Sequence, residues 1–281
     1  FRMIIAYIKS RSTIKSFNPQ VVVGTGGYSS GLPLLAAIHM NYKTLIQEQN
    51  TNPGFTTQKL APKVNTICIG FKESAKFFKK KTLFTGNPIR KDLFIMDKNN
   101  QNKKSNRFTI FILGGSQGSK PINSHVLQNI SFYNKLDAMI LWQCGKKDYN
   151  FIKSQELGEN IQIFDFIKDI GKIYSKSNIV ISRSGALTVS EITACGKASI
   201  LIPFPHAANN HQYYNAKVLT NVGASILIPQ IDLAYGTLEE TLSMLILNPD
   251  KIKIMQKAAL SIAKPNATND IVNEINNLIS V

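Results

Sequence analysis

Short apolar runs alternate along this chain with glycine-rich loops and stretches of helical periodicity. The runs predict strands at residues 21–23, 43–46, 66–69, 82–85, 108–113, 138–143, 161–164, 179–182 and 199–203. They are continuous rather than alternating, which is typical of parallel strands covered by helices on both faces. Helices are predicted between them, including one from about Pro33 to Met40 and one from about Pro121. The pattern predicts a doubly wound α/β protein.

A polar stretch divides this pattern into two series. Residues 97–106 (DKNNQNKKSN) have no hydrophobic period and are typical of an exposed connection. We therefore predict a first domain over residues 1–96, a linker over 97–106 and a second domain over 107–264. In such folds the ligand lies outside the carboxyl ends of the strands, so we expect the site between the two domains.

Composition and charge narrow the class of protein. A hydrophobic fraction of 43% over 281 residues excludes a disordered chain. Lysine and arginine number 33 against 17 acidic residues, a net charge of +16. Either a Lys/Asn/Ile-biased genome or an anionic partner, such as nucleic acid, a phosphorylated ligand or a membrane surface, explains this excess. The basic residues are dispersed and no base-reading motif is present, so we predict no nucleic-acid partner.

The cysteines and the termini add context. Cys68, Cys144 and Cys195 are scattered, form no CxxC pair and lie among apolar residues, so we predict buried thiols in a reducing compartment. No apolar run approaches the roughly 20 residues of a membrane-spanning helix, and no signal peptide is recognisable. The chain begins Phe1-Arg2 inside a helical pattern, so we expect a fragment of a longer protein.

Three loops that follow predicted strands carry the candidate chemistry. They span residues 24–31 (GTGGYSSG), 114–119 (GGSQGS) and 182–191 (SRSGALTVSE). The first is neither a dinucleotide fingerprint nor a P-loop. Glycines at the start of a helix let backbone amides approach a phosphate, although a tight strand-to-helix turn explains the first loop equally well.

The third loop has the clearest anion-binding pattern. Its helix is predicted to start at Ser184 or Gly185 and to end before Gly196. The amides of residues 186–188 would then be free to bind a diphosphate. Glu191 is either a solvated helix acid or an acceptor for the two ribose hydroxyls of a nucleotide.

The histidines do not indicate a metal centre. His39 and His125 lie on predicted helices and are expected to be structural. His206 and His211 lie in the polar loop over residues 203–212, where ligand contacts are expected. No third ligand is suitably spaced, and neither a nucleophile elbow nor an HExxH motif occurs, so we predict neither a metal nor another cofactor. The pattern favours a protein that binds phosphates and sugars.

Several motifs in chain order resemble those of the MurG family of glycosyltransferases. They are VGTGGY at 23–28, EQN at 48–50, TGNPIR at 85–90, GGSQG at 114–118, FIKD at 166–169, RSGALTVSE at 183–191, HQ at 211–212 and NA at 215–216. The resemblance implies a GT-B fold, with two Rossmann-like domains whose parallel sheets face a cleft and residues 265–281 returning to the first domain as a helix.

The resemblance also implies an activity and a location. N-acetylglucosamine (GlcNAc) would pass from UDP-GlcNAc, with inversion, to the undecaprenyl-linked acceptor lipid I, giving lipid II and UDP in peptidoglycan synthesis. The reaction would take place at the cytoplasmic face of the bacterial cell membrane, with the enzyme bound peripherally to its anionic surface. Neither a cofactor nor a nucleic acid is implied.

Site residues follow from the same resemblance. Those expected to bind UDP-GlcNAc are Asn50, Arg90, Ser116, Ile167, Ala186, Leu187, Thr188, Val189, Ser190, Glu191 and Gln212. Within this set the Ile167 backbone would meet uracil, Glu191 the ribose and Gln212 the sugar, while Ser116 and the amides of residues 186–188 would bind the diphosphate. The residues expected to face the diphosphate of the acceptor are Gly26, Gly27 and Tyr28.

The sequence departs from the family at its start. Members open with a strand and a glycine loop of Thr-Gly-Gly-His pattern, whose histidine is a candidate base, and nothing similar precedes Val21. The first domain is therefore expected to be truncated, lacking part of its sheet and its membrane-facing patch. We assign no catalytic residue and expect weak donor binding with little or no transfer.

Two alternatives remain open from the sequence. One is another GT-B enzyme that uses a different nucleotide sugar or acceptor. The other is a non-catalytic basic module that binds nucleic acid or anionic lipid.

Overall fold

The computed structural model describes residues 2–90, 93 and 107–280. Its strands are β1 (Val21–Gly24), β2 (Lys43–Glu48), β3 (Thr66–Ile69), β4 (Leu83–Phe84), β5 (Phe108–Leu113), β6 (Ala138–Gln143), β7 (Ile161–Phe164), β8 (Ile179–Ser182), β9 (Ala198–Leu201) and β10 (Ser225–Leu227). Its α-helices are α1 (Arg2–Phe17), α2 (Gly27–His39), α3 (Phe55–Leu60), α4 (Lys120–Gln128), α5 (Ile130–Lys135), α6 (Lys146–Lys153), α7 (Ile170–Lys176), α8 (Ala186–Ala194), α9 (His211–Asn221), α10 (Thr237–Ile246), α11 (Pro249–Ser261) and α12 (Ala267–Ile279). Short 3₁₀ helices cover Lys72–Phe77, Ala208–Asn210 and Gln230–Tyr235.

The chain forms two compact units. Unit 1 comprises Phe1–Pro88, Ala207–His211 and Lys264–Val281, and unit 2 comprises Ile89–His206 and Gln212–Ala263. The predicted linker over residues 97–106 lies outside the described residues, so the predicted domain boundaries stay predictions.

Unit 1 is built on a parallel sheet in the order β1-β2-β3-β4. On one face, Leu34 of α2 packs with Ile46 and Ile67 in a buried cluster. On the other face, Ile271 of α12 packs against Leu45 in a second cluster. Apolar residues on both faces of the strands explain why their sequences are continuous apolar runs.

Unit 2 is built on a six-stranded parallel sheet in the order β10-β9-β8-β5-β6-β7. The chain adds β6 and β7 on one side of β5 and then returns to add β8, β9 and β10 on the other side. The order therefore reverses between β5 and β8, and that switch point is where doubly wound folds bind ligands. Trp142 and Tyr133 are among the largest fully buried side chains of this core.

The predicted doubly wound α/β fold is confirmed, with differences in detail. All nine predicted strands are present within a residue or two, and the helical pattern at the start is α1. The strand β10 was missed, because its three residues are too short to give a pattern. The helix α2 starts at Gly27, about six residues before the predicted start at Pro33, because the glycines and serines of its first turns have the composition of a loop.

The predicted burial of the three cysteines and the predicted end of α8 are confirmed. Cys68, Cys144 and Cys195 are free and buried. Gly196 follows the last turn of α8 with a φ of +57°, the left-handed conformation that glycine adopts at a helix C-terminus. No described helix combines the length and the hydropathy that crossing a bilayer would require.

Candidate active site

A pocket of about 360 Å³ opens at the switch point of unit 2. It is lined by Gly114, Gly115, Gly118, Ser119, Lys120, Pro121, Arg183, Gly185, Thr188, Phe204 and Gln212. The loops after β5 and β8 form two of its walls, and the loop after β9 contributes Phe204. The second and third of the three loops singled out from the sequence therefore meet in one pocket.

The loop after β5 requires glycine for its close approach to the neighbouring strand end. Gly118 has a φ of +77°, and a Cβ atom there would lie 2.0 Å from the carbonyl oxygen of Cys144. Gly115 also has a positive φ, of +94°, with no atom within 4 Å of an added Cβ. The backbone of this loop is therefore both fixed in shape and open to a ligand.

The helix α8 presents unpaired amides at this pocket. It begins at Ala186 with Gly185 as its N-cap residue, one residue beyond the predicted start, and Gly185 offers no side chain to cap the helix. The first helical hydrogen bond runs from the Val189 amide to the Gly185 carbonyl, at 2.9 Å. The amides of residues 186–188 consequently have no acceptor within the helix, and they carry the positive end of its dipole.

Arg183 places a buried positive charge at the same pocket. Its side chain is only 6% exposed. Nε donates to Ser119 Oγ at 3.1 Å, Nη1 to the carbonyls of Ile202 and Pro203 at 3.0 Å, and Nη2 to Gln230 Oε1 at 2.5 Å. Burial lowers the pKa of the guanidinium to about 10, so it is still charged at neutral pH.

These partners of Arg183 are neutral, so the hydrogen bonds leave the buried charge without a counter-ion among them. The guanidinium links the loops after β5 and β9 and contributes a positive potential to the pocket that they enclose. Arg183 opens the motif over residues 183–191, but the sequence did not reveal its role. Its position directly before Ser184-Gly185, at the end of a buried strand, was the available signal.

Glu191 lies one turn further along α8 and is held by a buried tyrosine. The hydroxyl of Tyr174 on α7 donates to Glu191 Oε2 at 3.3 Å. Burial, followed by the nearby charge of Glu191, raises the pKa of Tyr174 well above its ordinary value. The hydroxyl therefore stays protonated and orients the carboxylate.

The loop after β7 contains Ile167, which is predicted to contact uracil. Its amide donates to Gln143 Oε1 at 2.9 Å, and Gln143 Nε2 donates to the Gly115 carbonyl at 3.1 Å. Gln143 thus bridges this loop to the glycine loop, a role that the sequence did not reveal. Arg90 lies beside the same loop, in unit 2, where its Nη1 donates to the Lys168 carbonyl at 3.2 Å.

Gln212 lines the pocket, and its side-chain oxygen accepts a hydrogen bond. Gln212 Oε1 accepts from the Phe204 amide at 2.9 Å, which directs the NH₂ group elsewhere. Ser184 Oγ donates to the Gln212 carbonyl at 2.8 Å and so ties α9 to the loop after β8. Among the histidines of this region, His211 contacts the Ala208 carbonyl through Nδ1 at 2.8 Å, and His206 packs edge-on against Phe204.

The other residues of unit 2 that are predicted to bind UDP-GlcNAc differ in their exposure. Ser116 is exposed on the glycine loop, and Leu187 is exposed on the first turn of α8. Val189 is fully buried, and the Ser190 hydroxyl donates to the Ala186 carbonyl at 2.9 Å. Val189 therefore offers no side chain to a ligand, and its amide is already bonded within the helix.

The remaining predicted residues lie in unit 1. Gly26 and Gly27 have φ angles of +85° and +74°, and they start α2 next to the exposed side chain of Tyr28. The Asn50 amide donates to Glu48 Oε1 at 3.0 Å at the end of β2. Glycine suits these two positions because a positive φ is unfavourable for residues that carry a side chain.

His39 and His125 lie on helices, as predicted. His39 Nδ1 contacts the Tyr7 hydroxyl at 2.7 Å. His125 Nε2 lies 2.8 Å from Glu239 Oε1 in the core of unit 2. Across the described ranges, no group of three or more His, Cys, Asp or Glu residues is placed to hold a metal ion.

The pocket of unit 2 is suited to a bound diphosphate. Free helix amides and a buried guanidinium surround a space that glycine residues keep open. These groups are already oriented, so they stabilise developing negative charge with little reorganisation. Glu191 lies one turn further along α8 and is not among the residues that line the pocket.

Comparisons with known proteins agree with this geometry. Residues 109–275 match the glycosyltransferase family 28 C-terminal domain, and residues 1–69 match the family 28 N-terminal domain. A protein of Flavobacterium psychrophilum is 40% identical over 290 residues, covering 99% of this chain and 78% of that protein. It is named UDP-N-acetylglucosamine--N-acetylmuramyl-(pentapeptide) pyrophosphoryl-undecaprenol N-acetylglucosamine transferase.

Solved structures give the same result. The crystal structure of MurG from Acinetobacter baumannii is 28% identical with a TM-score of 0.81, over 99% of this chain and 79% of that one. A UDP-GlcNAc 2-epimerase from Neisseria meningitidis, solved with UDP-GlcNAc, is 14% identical with a TM-score of 0.67, over 98% and 81% of the two chains. The second likeness concerns the fold alone.

The two parallel sheets, the loops at the switch point and these matches define a glycosyltransferase of the GT-B fold. Within that class the chain belongs to glycosyltransferase family 28 and to its MurG family. The resemblance stated from the motifs is therefore confirmed.

Proposed function

We propose that this chain transfers GlcNAc from UDP-GlcNAc to the N-acetylmuramyl-(pentapeptide) pyrophosphoryl-undecaprenol acceptor, lipid I, giving lipid II. The relative from Flavobacterium psychrophilum carries the name of this reaction. The observation that carries the proposal is the pocket at the switch point, where Gly115, Arg183 and Thr188 surround a space of the right chemistry for a diphosphate.

The proposed donor pose follows from the groups around the pocket. The diphosphate accepts from the amides of residues 186–188 and from Ser116. The ribose hydroxyls donate to Glu191, the base contacts the backbone at Ile167, and the NH₂ group of Gln212 faces the GlcNAc hydroxyls. The family motifs also assign Arg90 of unit 2 and Asn50 of unit 1 to the donor, and Gly26, Gly27 and Tyr28 of unit 1 to the diphosphate of the acceptor.

The reaction is an inverting substitution at C1 of GlcNAc. The 4-hydroxyl oxygen of the muramoyl sugar forms a bond to C1, and its proton leaves to a base. The bond from C1 to the UDP oxygen breaks, and UDP leaves with the electron pair. The α8 amides and Arg183 stabilise the charge that grows on the diphosphate, which is the step where fixed dipoles contribute most.

Two measurements test this proposal. Calorimetric titration should show that UDP-GlcNAc binds more tightly than UDP-glucose, and equal affinities would contradict the assignment to GlcNAc. A single-turnover assay with excess protein should form labelled lipid-linked disaccharide from labelled UDP-GlcNAc. The product should accumulate slowly, in keeping with the little transfer expected from the sequence, and no product at all, with the donor bound, would contradict the transfer reaction.

We also propose that the chain contacts the cytoplasmic face of the bacterial membrane peripherally, since its lipid-linked acceptor lies there. The helix α1 supports this proposal. It contains two arginines, two lysines and no acidic residue, and Met3, Ile4 and Ile8 are exposed on it. The basic side chains attract an anionic membrane surface, and the exposed apolar side chains beside them add hydrophobic contact.

Vesicle sedimentation tests this contact. Vesicles with anionic lipid should retain the protein more strongly than zwitterionic ones, and Ile4→Ser/Ile8→Ser should reduce retention. Leu247→Ser is the matched control, because Leu247 is an exposed apolar residue of unit 2. Equal retention of both variants would contradict a role for α1.

A further inference from the structure

A second pocket lies in unit 1, at the start of α3. Its volume is about 320 Å³, at the lower end of the range for ligand sites. It is lined by Asn52, Pro53, Phe55, Gln58, Phe77 and Asn209. None of these residues belongs to the proposed donor site, and we refer to this feature as the α3 pocket.

Two exposed aromatic rings form the apolar part of the α3 pocket. The side chains of Phe55 and Phe77 are 62% and 40% exposed. Lysine ammonium groups lie over both rings, Lys59 at 5.5 Å from the Phe55 centroid and Lys76 at 5.2 Å from the Phe77 centroid. The pocket therefore offers an apolar surface with positive charge at its rim.

Hydrogen bonds hold the polar walls of the pocket. Asn52 Nδ2 donates to the Asn209 carbonyl at 3.1 Å, and Gln58 Nε2 donates to the Pro53 carbonyl at 2.9 Å. Asn209 and Asn210 have φ angles of +53° and +52°, a conformation that is uncommon for residues other than glycine. The hydrogen bond from Asn52 fixes this wall, so the α3 pocket is formed before any ligand arrives.

The charge around the pocket selects an anion. Residues 51–81 contain seven lysines and one acidic residue, Glu73. A carboxylate at the rim would be attracted by this field and could accept hydrogen bonds from Lys59 and Lys76. The aromatic rings line a concavity that also contains amide groups, which suits a peptide better than a flat lipid surface.

We propose that the α3 pocket binds the peptide of the muramoyl-pentapeptide acceptor. An aliphatic side chain of the peptide lies between Phe55 and Phe77, and a peptide carboxylate pairs with Lys59 and Lys76. The inference rests on the proposed function, which names an acceptor that carries a pentapeptide. It adds a subsite for the part of that acceptor remote from the reacting sugar.

Titration with soluble N-acetylmuramyl-pentapeptide, with its C-terminal carboxylate either free or amidated, tests this subsite. The double variant Lys59→Gln/Lys76→Gln should weaken binding of the peptide with a free carboxylate about fivefold. Its affinity should then equal that of the amidated peptide. Phe55→Ala should weaken binding of both peptides. Lys63→Gln is the matched control, because Lys63 is an exposed lysine outside the pocket. It should change the affinity by less than about twofold, against about fivefold for the rim variant.

The proposal is overturned if the amidated peptide binds as tightly as the free one, or if Lys63→Gln weakens binding as much as the rim variant. It is also overturned if Phe55→Ala abolishes binding to anionic vesicles and leaves peptide binding intact. UDP-GlcNAc titration of the same proteins separates the two proposals. Normal donor binding without peptide binding overturns this inference alone, whereas peptide binding without donor binding supports it and contradicts the proposed donor site.

Discussion

The hydroxyl of Tyr174 lies 3.3 Å from Oε2 of Glu191, and Tyr174 is completely buried. A tyrosine of α7 therefore orients the acid of α8 that is proposed to hold the ribose. The ring of Tyr174 packs edge-on against Phe111 of β5, which fixes the direction of its hydroxyl. The position of Glu191 is thus set by the core of unit 2 and not by the helix alone.

Removing this hydroxyl should weaken nucleotide binding without unfolding unit 2. Tyr174→Phe retains the ring and its packing, and it removes one hydrogen bond that orients the carboxylate of Glu191. We expect UDP to bind about 1 kcal/mol more weakly by calorimetry. Glu191→Ala should cost about 1–3 kcal/mol, since it removes the acceptor itself. Unchanged UDP affinity in Glu191→Ala would show that this acid is only a solvated helix residue.

Arg183 should act on the diphosphate and not on the nucleoside. Arg183→Met retains much of the buried volume and removes the charge, so UDP affinity should fall by about 1.5–3 kcal/mol. Uridine, which has no phosphate, should bind with the same affinity as before. Arg183→Lys is the control, because it keeps a charge and loses the planar fork that contacts four partners. Parallel losses for UDP and uridine would indicate a purely structural role.

Gln143 should affect both parts of the nucleotide. It joins the glycine loop at Gly115 to the base loop at Ile167, so Gln143→Leu leaves a part-buried carbonyl and a buried amide without these bonds. We expect uridine and UDP both to bind more weakly, by about 1–2 kcal/mol. Gln155→Leu, on an exposed glutamine of the same unit, is the control. A loss confined to UDP would exclude the proposed link to the base loop.

The stability of unit 1 should depend on alkaline pH through Cys68. Burial, followed by the nearby charge of Glu274, raises the pKa of this thiol from 9.0 to about 12. Between these two values the folded state binds more protons than the unfolded state, so stability is fully present below pH 9 and falls as pH rises towards 12. The free energy of unfolding should fall by up to about 1.4 kcal/mol per pH unit in that window.

Chemical denaturation at several pH values measures this slope. Cys68→Ala should reduce it, whereas Cys195→Ala should leave the unit 1 transition unchanged because Cys195 lies in unit 2. An identical slope in Cys68→Ala would mean that other groups titrate in this range.

Local patterns were sufficient to predict the strands and the loops of the pocket. Glycine and apolar residues determine the backbone conformation and the burial of the segment in which they lie. The loop over residues 182–191 already showed the strand, the free amides and the acid. Contacts between distant segments could not be predicted in this way. Gln143 lies 24 residues from Ile167, and Tyr174 lies 17 residues from Glu191, so only the folded sheet brings each pair together.

A crystal structure with UDP tests the proposed donor site directly. The diphosphate should lie within hydrogen-bonding distance of the amides of residues 186–188, and the ribose hydroxyls should contact Glu191. Density for UDP in the α3 pocket, or anywhere remote from the N-terminus of α8, would contradict it.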